Sequence, residues 1–432
     1  MRGELTTQQV ADYLGVKVQT VYAYVSRGVL APRRRVPGTG SLFDVAEVQA
    51  LSGAGGRSRH SRRSRDPSTS DDVRTQITEI GPGSLAYRGR DIRDLVGAGA
   101  ATGQGGATVP VDDGVPSGEA WTFEEVRDLL TGIPLDRPHG LRRPTARSAS
   151  TDRTVCVDPA ADSALRDLVA ALPASTTALD RFKHAVLVAG AADMGRHDRR
   201  PGAVALAGAR AADAMVSSLT GVPPDTSVAA GLAAYLDLPT DLVDLVLVLL
   251  ADHDLAVSTT AVRVAVSAGS DLSSALLAGL AAADSPLHVG ASALAIDWLR
   301  GALRDPGAAL DAALVADRPP PGFGHVVYTE QDPRAQLLLA RLECDEATRG
   351  ALELLEEELA VRRGWVLNVD TALALMMHLH DLPRDAGSVL FACGRTAGWT
   401  AHAVEELAEP GMRFRLRGVY TGRRGAGAGA AS

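Results

Sequence analysis

From residue 122 to residue 407 the chain is a succession of Ala- and Leu-rich runs in which apolar residues return every three or four positions. Period-two alternation is scarce, so strands have little claim on this stretch. The runs at 163–172, 203–220, 228–236, 241–268, 272–283, 290–303, 346–362, 370–380 and 386–407 predict helices. Thr122 to Thr131 predicts another, with a Thr122/Glu125 capping box and Val126, Leu129 and Leu130 on one face. Aromatic residues make up only 4% of the chain, so its core is built from small and aliphatic side chains. Such a composition suits close-packed helices better than an aromatic-rich β-sandwich. The pattern predicts an all-α, many-helix architecture, and 432 residues allow two to four domains.

The N-terminal part reads differently. Residues 6–14 predict a helix capped by Thr6 or Thr7, Gly15 interrupts the pattern, and residues 18–27 predict a second helix that Gly28 closes. Val29 to Asp44, with a turn at Pro37-Gly38-Thr39-Gly40, forms a basic wing, and VAEVQAL a last short helix. The 1–51 segment resembles the small winged helix-turn-helix domains of the excisionase and mercury-regulator type. That resemblance makes DNA a candidate partner, with Thr20 and Tyr22 on the second helix and Arg33, Arg34 and Arg35 in the wing facing it. A protein-binding helical module is the alternative. Residues 52–73, rich in Gly, Ser and Arg, predict a flexible basic linker, 96–118 a surface loop and 423–432 a disordered tail.

Charge follows the same division. Residues 1–66 hold eleven Arg or Lys against five Asp or Glu, while the remainder holds 33 against 47, for a net charge of −8. A basic head on an acidic body points to two parts with different partners. Cys156, Cys344 and Cys393 stand too far apart for a metal motif or a disulfide framework. The N-terminus lacks the apolar core of a signal peptide. The longest apolar stretch, Leu245 to Ala251, falls far short of the roughly 20 residues of a membrane span. A cytoplasmic protein without a membrane partner is expected.

Four stretches place polar residues in otherwise apolar surroundings: Ala251-Asp252-His253-Asp254, Ser285 to Gly290 around His288, Pro321 to Ala335 with His325 and Arg334, and Asn368-Val369-Asp370 with Arg395 beyond. Each alone is more simply a buried histidine or a helix cap. Together, histidines, a carboxylate and arginines on glycine-rich loops suit enolising a carbonyl compound while holding an anionic acceptor.

The stretches ITEIGPGSLAYRGRDIRDL, FEEVRDLL, ADHDL, SPLHVGA, GFGHVVYTEQDPRA, LNVD, FACGRTAGWTAHAVEE and RLRGVYTG occur in the order found in the citrate synthase family, over about residues 75–422. This resemblance implies a two-domain all-α fold, with a large domain at 74–300 and 396–422 and a small one at 301–395. It implies a homodimer that condenses acetyl-CoA with oxaloacetate, with no cofactor or metal bound. By position, Asp370 is similar to the base that deprotonates the acetyl methyl group, His288 to the group that hydrogen-bonds the thioester oxygen, and His325 to the acid on the oxaloacetate ketone. His253, Arg334 and Arg395 are similar to the carboxylate-gripping groups, and Arg417 to the arginine lent by the second subunit. The alternatives are a 2-methylcitrate synthase using propionyl-CoA, and a DNA-binding regulator whose synthase body serves dimerisation and sensing.

The chain departs from the family pattern at three points. His288-Val289-Gly290-Ala291-Ser292 stands where the family usually reads His-Gly-Gly-Ala-Asn, and Thr329 stands where many bacterial members carry a lysine. Valine lacks the backbone freedom of glycine. The lost amide is one that orients the loop, and the lost cation one that meets a CoA phosphate.

Overall fold

The computed structural model describes residues 4–7, 10–11, 18–26, 29–36, 40–44 and 48, and then 73–97, 119–135, 159–222, 224 and 227–415. Nearly all of the expected linker, most of the expected loop at 96–118, the tail and Arg417 lie outside the described residues, as does the Arg35 side chain. The chain divides into two compact units, Met1–Val73 and Arg74–Ser432.

In the first unit, β1 (Glu4–Thr6), α1 (Val18–Ser26), β2 (Arg34–Val36) and β3 (Gly40–Asp44) follow in order, with Thr7, Val10 and Ala11 helical after β1. The strands make an antiparallel sheet of order β1-β3-β2, in which Arg34 pairs with Leu42. Val10, Ala11, Val21, Leu30, Phe43 and Val48 are its buried core. The β2–β3 hairpin is the expected wing. Tyr22 is exposed, whereas Arg33 is tied back to Asp44 at 3.2 Å.

The second unit opens on a small antiparallel sheet, β4 (Thr78–Gly81), β5 (Ser84–Tyr87) and β6 (Arg90–Asp91), which the helical reading missed. Strands of four, four and two residues are too short to show alternation. The turn between β5 and β6 is Arg88-Gly89, with φ of 47° and 79° at its two positions, the left-handed pair that a tight hairpin needs.

The helices are α2 (Ile92–Leu95), α3 (Phe123–Thr131), α4 (Pro159–Ala171), α5 (Ala178–Ala192), α6 (Pro201–Thr220), α7 (Val228–Leu236), α8 (Thr240–Leu250), α9 (Val257–Ser267), α10 (Leu272–Ala283), α11 (Ala291–Arg304), α12 (Pro306–Val315), α13 (Pro333–Leu339), α14 (Glu346–Arg363), α15 (Val369–Leu379) and α16 (Ala386–Glu406). The Thr122/Glu125 capping box is present as expected. The run at 241–268 is two helices, because Asp252 and His253 break it between α8 and α9. Helices α2, α5, α12 and α13 were not anticipated. The last two start on an Asp-Pro pair, in which Asp305 or Asp332 accepts a backbone N–H and proline occupies the first turn.

Helix α16 is the axle of this unit and is buried along nearly its whole length. It packs against α3, α6, α8, α9 and α10. Its small residues permit that approach. A Cβ at Gly394 would lie 3.0 Å from the Leu247 carbonyl, and one at Gly398 would lie 2.6 Å from that of Ala251. The polar stretches lie at the end of α8 and at the starts of α11, α13 and α15, with Arg395 midway along α16.

Candidate active site

His253 follows the end of α8, in a segment fixed from both sides. The buried carboxylate of Asp252 accepts from the Thr78 hydroxyl at 2.5 Å and from the Asp254 N–H at 3.1 Å, while Asp254 adopts the left-handed conformation. The His253 Nε2 lies 3.2 Å from the Tyr328 hydroxyl, and its ring stands edge-on to His325 with centroids 5.3 Å apart. Burial, reinforced by Arg334 and Arg395, holds its pKa well below the ordinary histidine value, so it is neutral at pH 7.

His325 is presented by Gly322 and Gly324, with φ of 88° and 79°. The Gly322 carbonyl accepts from the Asn368 N–H and the Thr371 hydroxyl, and the Asn368 amide donates to the Gly324 carbonyl, which docks the loop on the start of α15. The Nδ1 of His325 accepts from the backbone N–H groups of Val327 and Tyr328 at 3.0 and 3.1 Å. An accepting Nδ1 leaves the proton of the neutral ring on Nε2. Burial and Arg334 push its pKa down to about 4. His325 is thus a neutral donor, aimed through Nε2.

His288 shows the opposite tautomer. The indole N–H of Trp399 donates to the Ser258 hydroxyl at 3.2 Å, and that hydroxyl lies 2.8 Å from His288 Nε2. Indole is a donor only, so the Ser258 proton goes to Nε2, its acceptor among the described residues, and His288 carries its own proton on Nδ1. Burial and Arg395 bring its pKa to about 4.

Two guanidiniums complete the charge pattern. Arg334, at the start of α13, is held by Asp332 through Nε at 3.0 Å and Nη2 at 2.8 Å, and its plane lies over Tyr328. That salt bridge leaves Nη1 for a ligand. Arg395, on α16, donates from Nε to the Leu250 carbonyl at 2.9 Å and stacks on Phe391. Its Nη1 and Nη2 are buried with no hydrogen-bond partner among the described residues. Burial lowers its pKa to about 10, the signature of a cation short of its counter-ion.

Asp370 sits in the first turn of α15, its backbone N–H bound by Asn368. Its Oδ1 is shielded and without a partner among the described residues, and burial raises its pKa to about 7 despite the attraction of Arg334. A carboxyl half-ionised near neutrality is poised as a base. Thus His253, His288, His325, Arg334, Asp370 and Arg395 gather in one place; Arg417 falls outside the described residues. The sequence reading missed Ser258, Tyr328, Asp332 and Trp399, which set tautomers and orient the arginines. Among the described residues no group of three His, Cys, Asp or Glu is arranged to hold a metal ion, and no helix is long and apolar enough to cross a membrane.

A family model described as citrate synthase, C-terminal domain, matches residues 71–417. The chain belongs to the citrate synthase family. A helix-turn-helix domain model matches residues 4–51, ahead of the synthase unit. Among relatives, the citrate synthase of Haloferax volcanii is 34% identical over 190 residues, 42% of this chain and 50% of that protein. That of Saccharolobus solfataricus is 34% identical over 193 residues, 41% and 51% respectively. The chain spans about half the length of these curated relatives. The citrate synthase of Thermoplasma acidophilum, solved with carboxymethyl coenzyme A and oxaloacetate, superposes with a TM-score of 0.58 at 23% identity, covering 82% of this chain and 94% of that one. The Thermotoga maritima enzyme gives 0.59 at 22%, covering 81% and 93%. At these identities the structures establish a shared fold.

The glycine-to-valine departure beside His288 finds room in this synthase unit. Val289 is not among the residues with positive φ, and Gly290 has φ of −78°. The Val289 side chain is buried, and its carbonyl accepts from the Ser388 hydroxyl at 2.9 Å.

Proposed function

We propose that the chain catalyses the condensation of acetyl-CoA with oxaloacetate and water to citrate and CoA. The observation that carries this reading is the pairing of Asp370, a shielded carboxyl with a pKa of about 7, with two neutral histidines held in opposite tautomers. Asp370 takes a proton from the acetyl methyl group while the Nδ1–H of His288 stabilises the oxygen on which charge develops. The Nε2–H of His325 polarises the ketone of oxaloacetate, whose carbon accepts the new bond. His253, Arg334 and the unpaired ends of Arg395 hold the two carboxylates. Closing 301–395 over the rest of the unit keeps water out until citryl-CoA has formed, after which hydrolysis releases citrate and CoA. This chemistry draws on side chains alone, without a resident cofactor. The functional unit is a homodimer in which Arg417 reaches the neighbouring site.

The test is free-thiol release from acetyl-CoA with oxaloacetate, beside Asp370→Ala. Release that the substitution abolishes supports the reading; no release from folded protein refutes it. Propionyl-CoA in parallel decides between citrate and 2-methylcitrate formation, which differ by one methylene worth about 1–3 kcal/mol.

A second activity rests on the helix-turn-helix match, the basic hairpin and the exposed Tyr22. The N-terminal unit binds DNA, and a dimeric body sets the spacing of the half-sites. Full-length protein that fails to shift DNA at low ionic strength overturns this reading.

A further inference from the structure

Beneath the oxaloacetate side of the site lies a buried polar chain that the proposed reaction leaves unused. The Nη1 of Arg263, on α9, donates to Nδ1 of His402, on α16, at 2.8 Å, and Nε2 of His402 lies 3.3 Å from Asp252 Oδ2. Arg263, His402 and Asp252 are fully buried. Arg263 also binds Glu406 through Nε at 2.9 Å and Glu405 through Nη1 at 2.7 Å. Glu406 in turn accepts from Arg413 at 2.6 Å, and Glu405 accepts from the Gln76 N–H at 2.9 Å.

The direction of this chain follows from donor chemistry. A guanidinium has no acceptor, so its bond to Nδ1 requires that nitrogen to be unprotonated. The proton of His402 is therefore on Nε2, and it points at Asp252. Asp252 is the residue before His253, and its carboxylate is the charge that works against the loss of a proton from Arg395. Burial alone would neutralise Asp252; His402, Arg395 and Thr78 outweigh it and hold its pKa below the ordinary range. Asp252, Glu405 and Glu406 match Arg263, Arg395 and Arg413 in number, so these six buried and half-buried groups carry no net charge.

We infer that His402, locked in one tautomer by Arg263, is a positioning residue that orients Asp252 and thereby the loop that carries the oxaloacetate-gripping His253. The inference rests on the proposed reaction for its kinetic consequence, and on the geometry alone for its structural one.

Two isosteric substitutions separate positioning from packing. A glutamine amide reaches the place of Nε2 and retains a donor for Asp252, whereas an asparagine mimics Nδ1 and leaves Asp252 without one. His402→Asn is expected to raise the KM for oxaloacetate about tenfold or more, the scale of one lost bond to a charged group, with the KM for the thioester little changed. His402→Gln is expected to restore most of the difference. Equal damage in both variants, or a loss confined to kcat, overturns the inference. Imidazole nitrogen NMR supplies a readout independent of turnover, on wild-type and variant full-length protein. His402 must show a protonated Nε2, and the His253 signals must move in the asparagine variant and stay in place in the glutamine variant. If the wild type neither binds nor turns over oxaloacetate, the proposed function fails on its own. The positioning inference is then decided by the spectra, and an unmoved His253 in His402→Asn refutes it.

Discussion

Replacing Asp370 by Asn should stabilise the protein, and by an amount that depends on pH. Burial raises the pKa of Asp370 from the usual 3.8 to about 7. Below pH 3.8 the carboxyl is protonated in both folded and unfolded chains and contributes no difference. Between 3.8 and 7 the unfolded chain ionises while the folded one keeps its proton, so stability falls by about 1.4 kcal/mol per pH unit. Above 7 both forms are ionised, and the accumulated penalty levels off at about 4 kcal/mol. Asn has the same shape and does not titrate. The stability of Asp370→Asn relative to wild type should therefore climb by up to about 4 kcal/mol between pH 4 and pH 8. Urea unfolding of both proteins at several pH values measures it directly. The same ionisation should appear in catalysis: kcat/KM for the wild type rises with pH and levels off above 7, and at pH 6 it is down about tenfold. Parallel stability profiles for the two proteins, or a flat rate profile between pH 5.5 and 8, would show that Asp370 is neither buried as described nor the base.

The other predictions concern the residues that hold the reacting groups. Gly398→Ala places a methyl 2.6 Å from the Ala251 carbonyl and closer still to the Asp252 carboxylate. Denaturant titration should show a loss of about 1–3 kcal/mol, and the KM for oxaloacetate should rise. Ser258→Ala strands the buried Trp399 N–H, at about 1–3 kcal/mol. It also frees the His288 tautomer, so kcat should fall further than stability accounts for; an unchanged kcat would remove Ser258 from the mechanism. Arg395→Gln should weaken oxaloacetate binding, read by calorimetry, about ten- to a hundredfold, with little effect on the thioester.

The candidate site residues drew notice because they interrupt apolar runs or sit on glycine-rich loops. His253 follows LVDLVLVLL, and His325 follows Gly322 and Gly324, whose left-handed conformation no other residue type adopts cheaply. Most of the long helices were legible for the complementary reason, their unbroken periodicity, although the 15-residue α5 was missed. Helices α12 and α13 were hidden because Asp-Pro reads as a turn until its second role, as a cap and first residue, is weighed. The tautomers were not legible at all. Which nitrogen of His325 carries the proton depends on two backbone N–H groups of its own loop, and for His288 on Ser258 and Trp399, 141 positions apart. The Arg263–His402–Asp252 chain spans comparable separations and has no local signature. Nor was it legible that Asp332 holds two of the Arg334 nitrogens and leaves Nη1, whereas both terminal nitrogens of Arg395 stay without a partner among the described residues.

The departures from the family pattern divide along the same line. At position 292 a side chain longer than serine would have to enter the contact with α16, since a Cβ added to Gly387 already lies 2.8 Å from the Ser292 Cβ. The loop is instead oriented by Ser388 on the Val289 carbonyl and by Ser258 on His288. What differs outwardly is the rim. Leu287 and Val326, beside His288 and His325, are 94% and 98% exposed, and Thr329 is exposed and uncharged. Arg334 and Arg395 are buried, and His253, His288, His325 and Asp370 are half-buried and held by their neighbours, while the exposed side chains beside them are apolar or neutral. If the proposed condensation holds, such an arrangement is expected to retain the rate constant for the bound complex and to lose grip on the nucleotide end of CoA. The cost of these substitutions therefore belongs in the KM for the thioester, and Thr329→Lys should lower that KM while leaving kcat where it is.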